Sequence, residues 1–386
     1  MQAGAFLAAT PSLEIGRLRL ADVAFGGAAL ILVLRRRSDP KDVIEIRPLL
    51  VAAALLVTGG AIGGFFKPQG SEFSVLTSLQ GSHFRFLSAG VSDVIRFTLG
   101  APGMLLLVWL WRPQERHRRA IAAAYGAGAV VSVLKSLAEH PLGGRALGLT
   151  GHPVAFGVTS ASAVFIGLGL MLESSGYRRL YGALVMVAGV QGVFSSGTRA
   201  AVLIVATGLL YMLLVTRSTR VAGTFAAAAL VAIAITLVAP SVFQDSATGR
   251  RIAGESGAVV SDTGRRSVRE KSFELARTHG VTGAGLEYMA SPHNIPLGII
   301  ISTGAIGFSG FVVLIAWLVR SHVVHARGSP LTSAVLAWIL GFYSASWVLS
   351  AGWDRFLWIQ IAVFGTVAVR RAVDHPRRFT TDLPAH

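Results

Sequence analysis

The residue types here that could do chemistry are histidine and arginine. His293 and Asn294 stand together after a Ser291-Pro292 pair, and His152 stands before Pro153. Arg199 follows the small polar run Ser195-Ser196-Gly197-Thr198, and Arg250, Arg251, Arg265, Arg266, Arg269, Lys271 and Arg277 share one stretch. A neutral histidine at an interface can take a proton from a hydroxyl. Arginines beside helix N-termini, whose free amides carry partial positive charge, make a site for a phosphate or diphosphate. Each residue also has a plainer reading. A lone arginine at a helix end can snorkel to headgroups, an interfacial histidine can simply be hydrogen-bonded, and the basic stretch can be a solvated face on anionic lipid.

The elements that must position these residues are membrane helices. Hydrophobic residues fill 53% of the 386 positions and charged residues only 14%, so most stretches of about 20 residues between charge clusters could span a bilayer. The expected fold is all-α, a polytopic bundle in one domain over 1–386, with windows near 19–34, 48–66, 91–111, 119–137, 153–172, 179–195, 199–215, 221–240, 293–319, 330–350 and 355–370. That makes eleven spans, or twelve if a further N-terminal helix exists, with one long loop at 241–292. Met1 to Gly16 lacks the basic start and apolar core of a cleavable signal, so none is expected. Cysteine is absent, which excludes disulfides, thiolate metal sites and cysteine nucleophiles. The net charge of +16 does not point to nucleic acid, because the arginines lie in short clusters between apolar runs.

Orientation follows from the short loops. One face receives 19 of the 35 Lys and Arg residues and the other 16, seven of them in the 241–292 loop. Long segments translocate largely regardless of charge, so setting that loop aside leaves 19 against nine, which puts the C-terminus in the cytoplasm and the long loop outside. The fifth, seventh, ninth and eleventh windows must start on one face whichever way the bundle points. His152, Arg199, His293 with Asn294, and Asp354 with Arg355 mark those starts. Ser291 is expected to cap the ninth helix, with Pro292 at its first position and His293 in its first turn. Thr150 to Pro153 reads similarly. Asp93 and Arg96 are spaced to pair on one helix face, and Lys135 is expected to snorkel.

These residues resemble the O-antigen ligase and polymerase superfamily. The likeness lies in Ser-x-x-Arg at Ser196 to Arg199, a loop arginine ahead of Gly283-x-Gly285, then His293-Asn294 opening a helix that carries Gly304 and Gly307. Arg265 is the best match for the loop arginine, with Arg266 and Arg269 as nearby candidates, and Phe273 stands where the family has an aromatic. The resemblance covers the C-terminal half. It implies transfer of a glycan from a polyprenyl-diphosphate carrier to an acceptor hydroxyl on a glycan or lipid-glycan, at the outer face of a bacterial cytoplasmic membrane. No cofactor, metal or nucleotide sugar is implied, and the chain has no Asp-x-Asp motif. In that scheme Arg199 and Arg265 stabilise the leaving diphosphate and His293 is the general base, with inversion at the sugar. Arg266, Arg269, Asn294 and His152 would help to bind substrate. The alternative is a transporter or flippase of an anionic lipid-linked substrate, against which stand the lack of an inverted repeat or of paired broken helices.

The charge bias is open to direct test. In this cysteine-free chain, Glu255→Cys should react with an impermeant thiol reagent added outside the cell, and Ser218→Cys should not. Labelling of position 218 alone would reverse the orientation.

Overall fold

The computed structural model describes residues 1–15, 18–34, 43–66, 98, 100–139, 144–216, 223, 246–254, 256–288, 293–325, 328–349 and 355–369. The predicted 221–240 window apart from residue 223, the Asp93/Arg96 pair, Ser291, Pro292 and Asp354 lie outside these residues. Among the described residues the regular structure is helical apart from two short antiparallel pairings. The helices are α1 (Gln2–Ala8), α2 (Leu20–Leu34), α3 (Arg47–Phe65), α4 (Pro102–Trp111), α5 (Glu115–Leu137), α6 (Pro153–Glu173), α7 (Gly176–Ser195), α8 (Arg199–Thr216), α9 (Ala247–Ile252), α10 (Ser256–His279), α11 (Ile295–His325), α12 (Pro330–Ser344) and α13 (Arg355–Phe364).

Among the described residues six helices are long and apolar enough to cross a membrane: Arg47–Phe65, Glu115–Leu137, Pro153–Glu173, Arg199–Thr216, Ile295–His325 and Pro330–Val348. The core around them is contributed mainly by Ala, Leu, Ile, Val, Phe and Trp, with Trp338 of α12 and Trp358 of α13 among the largest fully buried side chains. Small residues let the helices close up. An added Cβ at Gly189 of α7 would lie 2.7 Å from the Ser160 carbonyl oxygen and the Val164 nitrogen of α6. The same holds between α3 and α11, where Gly63 faces the Ser302 carbonyl at 2.6 Å from its would-be Cβ.

Helix ends sort to two ends of the bundle. At one end Arg118 is 5% exposed and donates to the Thr366 carbonyl at 3.1 Å and its hydroxyl at 3.2 Å. Arg119 pairs with Glu173, which also accepts from the Leu331 amide at 3.3 Å, while Ser329 donates to Glu115 at 3.2 Å. These contacts gather the starts of α5 and α12 with the finishes of α6 and α13. The predicted helix to residue 370 stops at Phe364, because Trp317 and Ser321 donate to the Gly365 carbonyl at 2.8 and 3.1 Å. Val367–Val369 then pairs with Val43–Glu45 as a short antiparallel ladder. Lys135, expected to snorkel, instead pairs with Glu139 at 2.9 Å.

α11 is broken inside its apolar length. Gly304 has φ 63° and ψ −165°, a left-handed φ that L side chains resist. In a regular helix the Ile301 carbonyl would take the Ala305 amide. Here Ile301 accepts from the Ala284 amide at 2.6 Å, Ser302 accepts from the Gly285 amide at 3.1 Å, and the Ala305 amide donates to Val281 at 3.1 Å. The Val281 to Gly285 segment thus fills the break with backbone partners, as an apolar surrounding requires. Gly283 and Gly285 adopt φ 82° and 106° to do so.

Replacing Gly304 by alanine would aim a Cβ at the Val281 carbonyl and add strain of roughly 1–3 kcal/mol. Gly64 of α3 has open space at its Cβ and serves as control. Thermal unfolding in detergent should show a lower midpoint for Gly304→Ala than for Gly64→Ala, and equal midpoints would contradict the stitched break.

Candidate functional site

The other end of the bundle carries the sequence-predicted residues. α6 begins where the sequence suggests, with His152 as its cap: the His152 Nδ1 accepts the Val154 amide at 3.2 Å and Pro153 takes the first helical position. α8 begins at Arg199. The turn before it is built from small polar groups. Ser196 Oγ donates to the Val193 carbonyl at 2.9 Å and accepts from the Thr198 amide at 3.1 Å, and Gly197 takes φ 63°.

Into that turn reaches Arg145, a residue that sequence reasoning missed. Its Nε donates to the Ser196 carbonyl at 3.0 Å, and its guanidinium donates to Thr198 Oγ1 at 3.2 Å. Thr198 in turn donates to the Pro153 carbonyl at 3.0 Å. A Cβ at Gly197 would lie 2.9 Å from Arg145 Cγ, so glycine there makes room for the arginine. The Arg145 loop is anchored by the Ala146 amide on the Ser195 carbonyl at 2.9 Å, and by Glu139, which accepts from the Leu147 and Gly148 amides at 2.9 and 3.1 Å. A usable signal was Gly143-Gly144-Arg145, a loop on the His152 face by helix parity.

The long loop brings further arginines. In α9, Ser246 caps the Gly249 amide at 2.9 Å and Thr248 donates to the Val193 carbonyl at 3.0 Å, setting Arg250 and Arg251 beside the turn. α10 packs by Ser272 and Leu275, and Leu275 joins Ala284, Tyr288, Leu297 and Ile301 in a small apolar cluster. That helical phase leaves Arg265 half-buried and Arg266 and Arg269 exposed. Arg266 pairs with Glu270 at 3.1 Å, with side chains 77% and 67% exposed. Arg269 is one turn beyond Arg265. Phe273 is also exposed.

The expected cap of α11 is corrected. Asn294 accepts the Leu297 amide at 3.0 Å through its Oδ1, and its carbonyl accepts the Gly298 amide at 2.8 Å. Asn294 is therefore the N-cap, and His293 lies before the helix with φ 47° rather than inside its first turn. A capping asparagine holds His293 by its backbone, and a left-handed φ on a histidine is uncommon enough to mark a constrained position.

Electrostatics tie these pieces together. Burial, followed by Arg251 and then Arg265, pushes the Arg145 guanidinium down to about 10. Partial desolvation, then Arg265, then His152, lowers His293 from its ordinary 6.5, although the residue keeps solvent contact. Arg251 and Arg265 thus lie within electrostatic reach of Arg145, and Arg265 and His152 within reach of His293, with Arg199 opening α8 one residue after Thr198. Among the described residues no three His, Asp or Glu side chains could hold a metal ion together. The cluster can bind an anion and can keep one imidazole neutral at physiological pH. No family model and no curated protein matches the chain.

The pH consequence has a definite sign. The unfolded chain takes up a proton on residue 293 at higher pH than the folded one, so this contribution to stability is full above 6.5 and is lost as pH falls below it. An NMR titration in detergent should give His293 a midpoint below 6.5, moving up in Arg265→Gln. An unmoved midpoint would remove Arg265 from the histidine's surroundings.

Proposed function

We propose that this chain is a membrane glycosyltransferase that moves a glycan from a polyprenyl diphosphate to an acceptor hydroxyl. The observation that carries this reading is the convergence of Arg145, Arg251 and Arg265 with His293 and His152 beside the start of α8. Crowded guanidinium groups repel one another, and a bound diphosphate turns that repulsion into attraction. The resemblance at Ser196 to Arg199, Gly283 to Gly285 and His293-Asn294 supports the same reading. So does the short-loop charge bias, which favours an outer-face site in a bundle of about eleven spans, and the resemblance implies a bacterial cytoplasmic membrane.

In the reaction the acceptor oxygen forms a bond to the anomeric carbon as the bond from that carbon to the diphosphate breaks. The electron pair leaves with the diphosphate, whose growing charge the arginines stabilise. His293 takes the acceptor proton, and one displacement inverts the anomeric centre. The acceptor is a foreign glycan in a ligase and another carrier-linked glycan in a polymerase. A flippase reading finds support in the broken α11, but the break is filled by the Val281 to Gly285 backbone.

Two substitutions separate binding from chemistry. His293→Ala should keep donor binding while transfer falls by about 100-fold or more. Arg199→Ala should damage both, by about 1.5–3 kcal/mol in donor binding, since its partner is the diphosphate throughout. Full transfer by a folded His293→Ala protein would refute the general-base role. Donor movement across the membrane without transfer would favour the flippase.

A further inference from the structure

α10 has one buried face and two unlike exposed flanks. Ser272 and Leu275 set the buried face. Counting about 100° per residue from them, Arg266, Arg269, Glu270, Phe273 and Arg277 fall on one flank, and Ser267, Lys271, Glu274 and Thr278 on the other. All of these side chains are exposed. On the second flank Lys271 and Glu274 balance in charge. On the first, Arg266 matches Glu270 at 3.1 Å, which leaves the charge of Arg269 and Arg277 one turn to each side of a phenylalanine ring that is 51% exposed. The helix also ends at the edge of the apolar belt. Two residues after His279 closes α10, the Val281 carbonyl accepts the Ala305 amide at the α11 break, and a Cβ at Gly63 of α3 would lie 2.8 Å from the Gly285 amide nitrogen. α3 has 19 residues, about the length that crosses a hydrocarbon core, and it finishes at this level with Phe65 87% exposed. Val281 is 79% exposed there too. Phe273 and Arg277 lie in the last two turns of α10, within reach of lipid headgroups.

We infer that this flank of α10 lies on the adjoining leaflet and binds anionic lipid headgroups, with Arg269 and Arg277 pairing with phosphates and the Phe273 ring entering the interface between them. The ring gains by leaving water, and arginine stems can lie along the apolar boundary while their heads reach phosphate oxygens. The near-neutral flank is left to the solvent. Lipid bound there holds α10, and with it Arg265, at the membrane. The site needs a bilayer and nothing more, so it stands apart from the diphosphate reading and from the direction in which the bundle points.

The full-length protein in nanodiscs of phosphatidylcholine, with and without phosphatidylglycerol, gives two readouts. Phe273→Cys and Ser267→Cys each take a single nitroxide label in the cysteine-free chain. With phosphatidylglycerol present, the label at 273 should be relaxed by oxygen and shielded from a water-soluble nickel chelate, and the label at 267 should show the reverse. Equal nickel access at the two positions would overturn the docking. Association of spin-labelled phosphatidylglycerol relative to phosphatidylcholine reads the charge. Arg269→Gln and Arg277→Gln should each lower that preference by about fivefold, and Lys271→Gln on the other flank should leave it unchanged. The preference of the wild-type protein should fade as salt rises. No loss in either arginine variant, or an equal loss in Lys271→Gln, would overturn the lipid site. Water access at 273 in both bilayers, together with binding of a soluble acidic polysaccharide that Arg277→Gln abolishes, would make the flank a glycan surface and overturn it as well.

Discussion

A backbone in an apolar surrounding has to pair its amides and carbonyls, and the break at Gly304 meets that constraint through Val281 to Gly285. The segment follows α10, which carries Arg265, and its backbone is bonded to α11, the helix that Asn294 caps one residue after His293. The glycines at 283, 285 and 304 are needed for their left-handed φ values, and Gly63 of α3 is needed because the inserted backbone passes close to it. A weak sequence pattern of glycines thus has one physical reason. It lets a loop enter a helix bundle without losing hydrogen bonds.

Charge is handled differently at the two ends of the bundle. Arg118 meets Glu115 and the carbonyl of Thr366, so its burial is offset by an acid and by a helix end that needs donors, and the exposed Arg119 pairs with Glu173. At the other end burial perturbs Arg145 most, followed by two further arginines, and burial likewise perturbs His293 ahead of an arginine and a second histidine. Like charges gathered at half-buried positions disfavour the folded state. Holding them together on anchored turns supports the proposed diphosphate site.

Much of the frame was legible in the residues. Prolines and small polar residues mark the starts of α6, α8 and α12, because capping is a local interaction that a short stretch encodes. Local chemistry also misled. Ser291-Pro292 reads as a cap followed by proline, whereas the side chain that caps α11 is that of Asn294. Arg145 was not legible as a site residue, since its partners Ser196 and Thr198 lie some fifty positions away and offer only a carbonyl and a hydroxyl. The choice among Arg265, Arg266 and Arg269 depended on helical phase, which Ser272 and Leu275 set only once α10 is seen to pack against α11. Lys135 found Glu139 one turn away, a pairing its position beyond the apolar run obscured.

The measurement that bears most directly on the central claim is a cryo-electron-microscopy map of the protein with a polyprenyl-diphosphate glycan bound. The diphosphate should lie among Arg145, Arg251 and Arg265, with the first sugar between it and His293. Density for the diphosphate at the Arg118 end of the bundle, or anywhere beyond hydrogen-bonding reach of those three arginines, would contradict it.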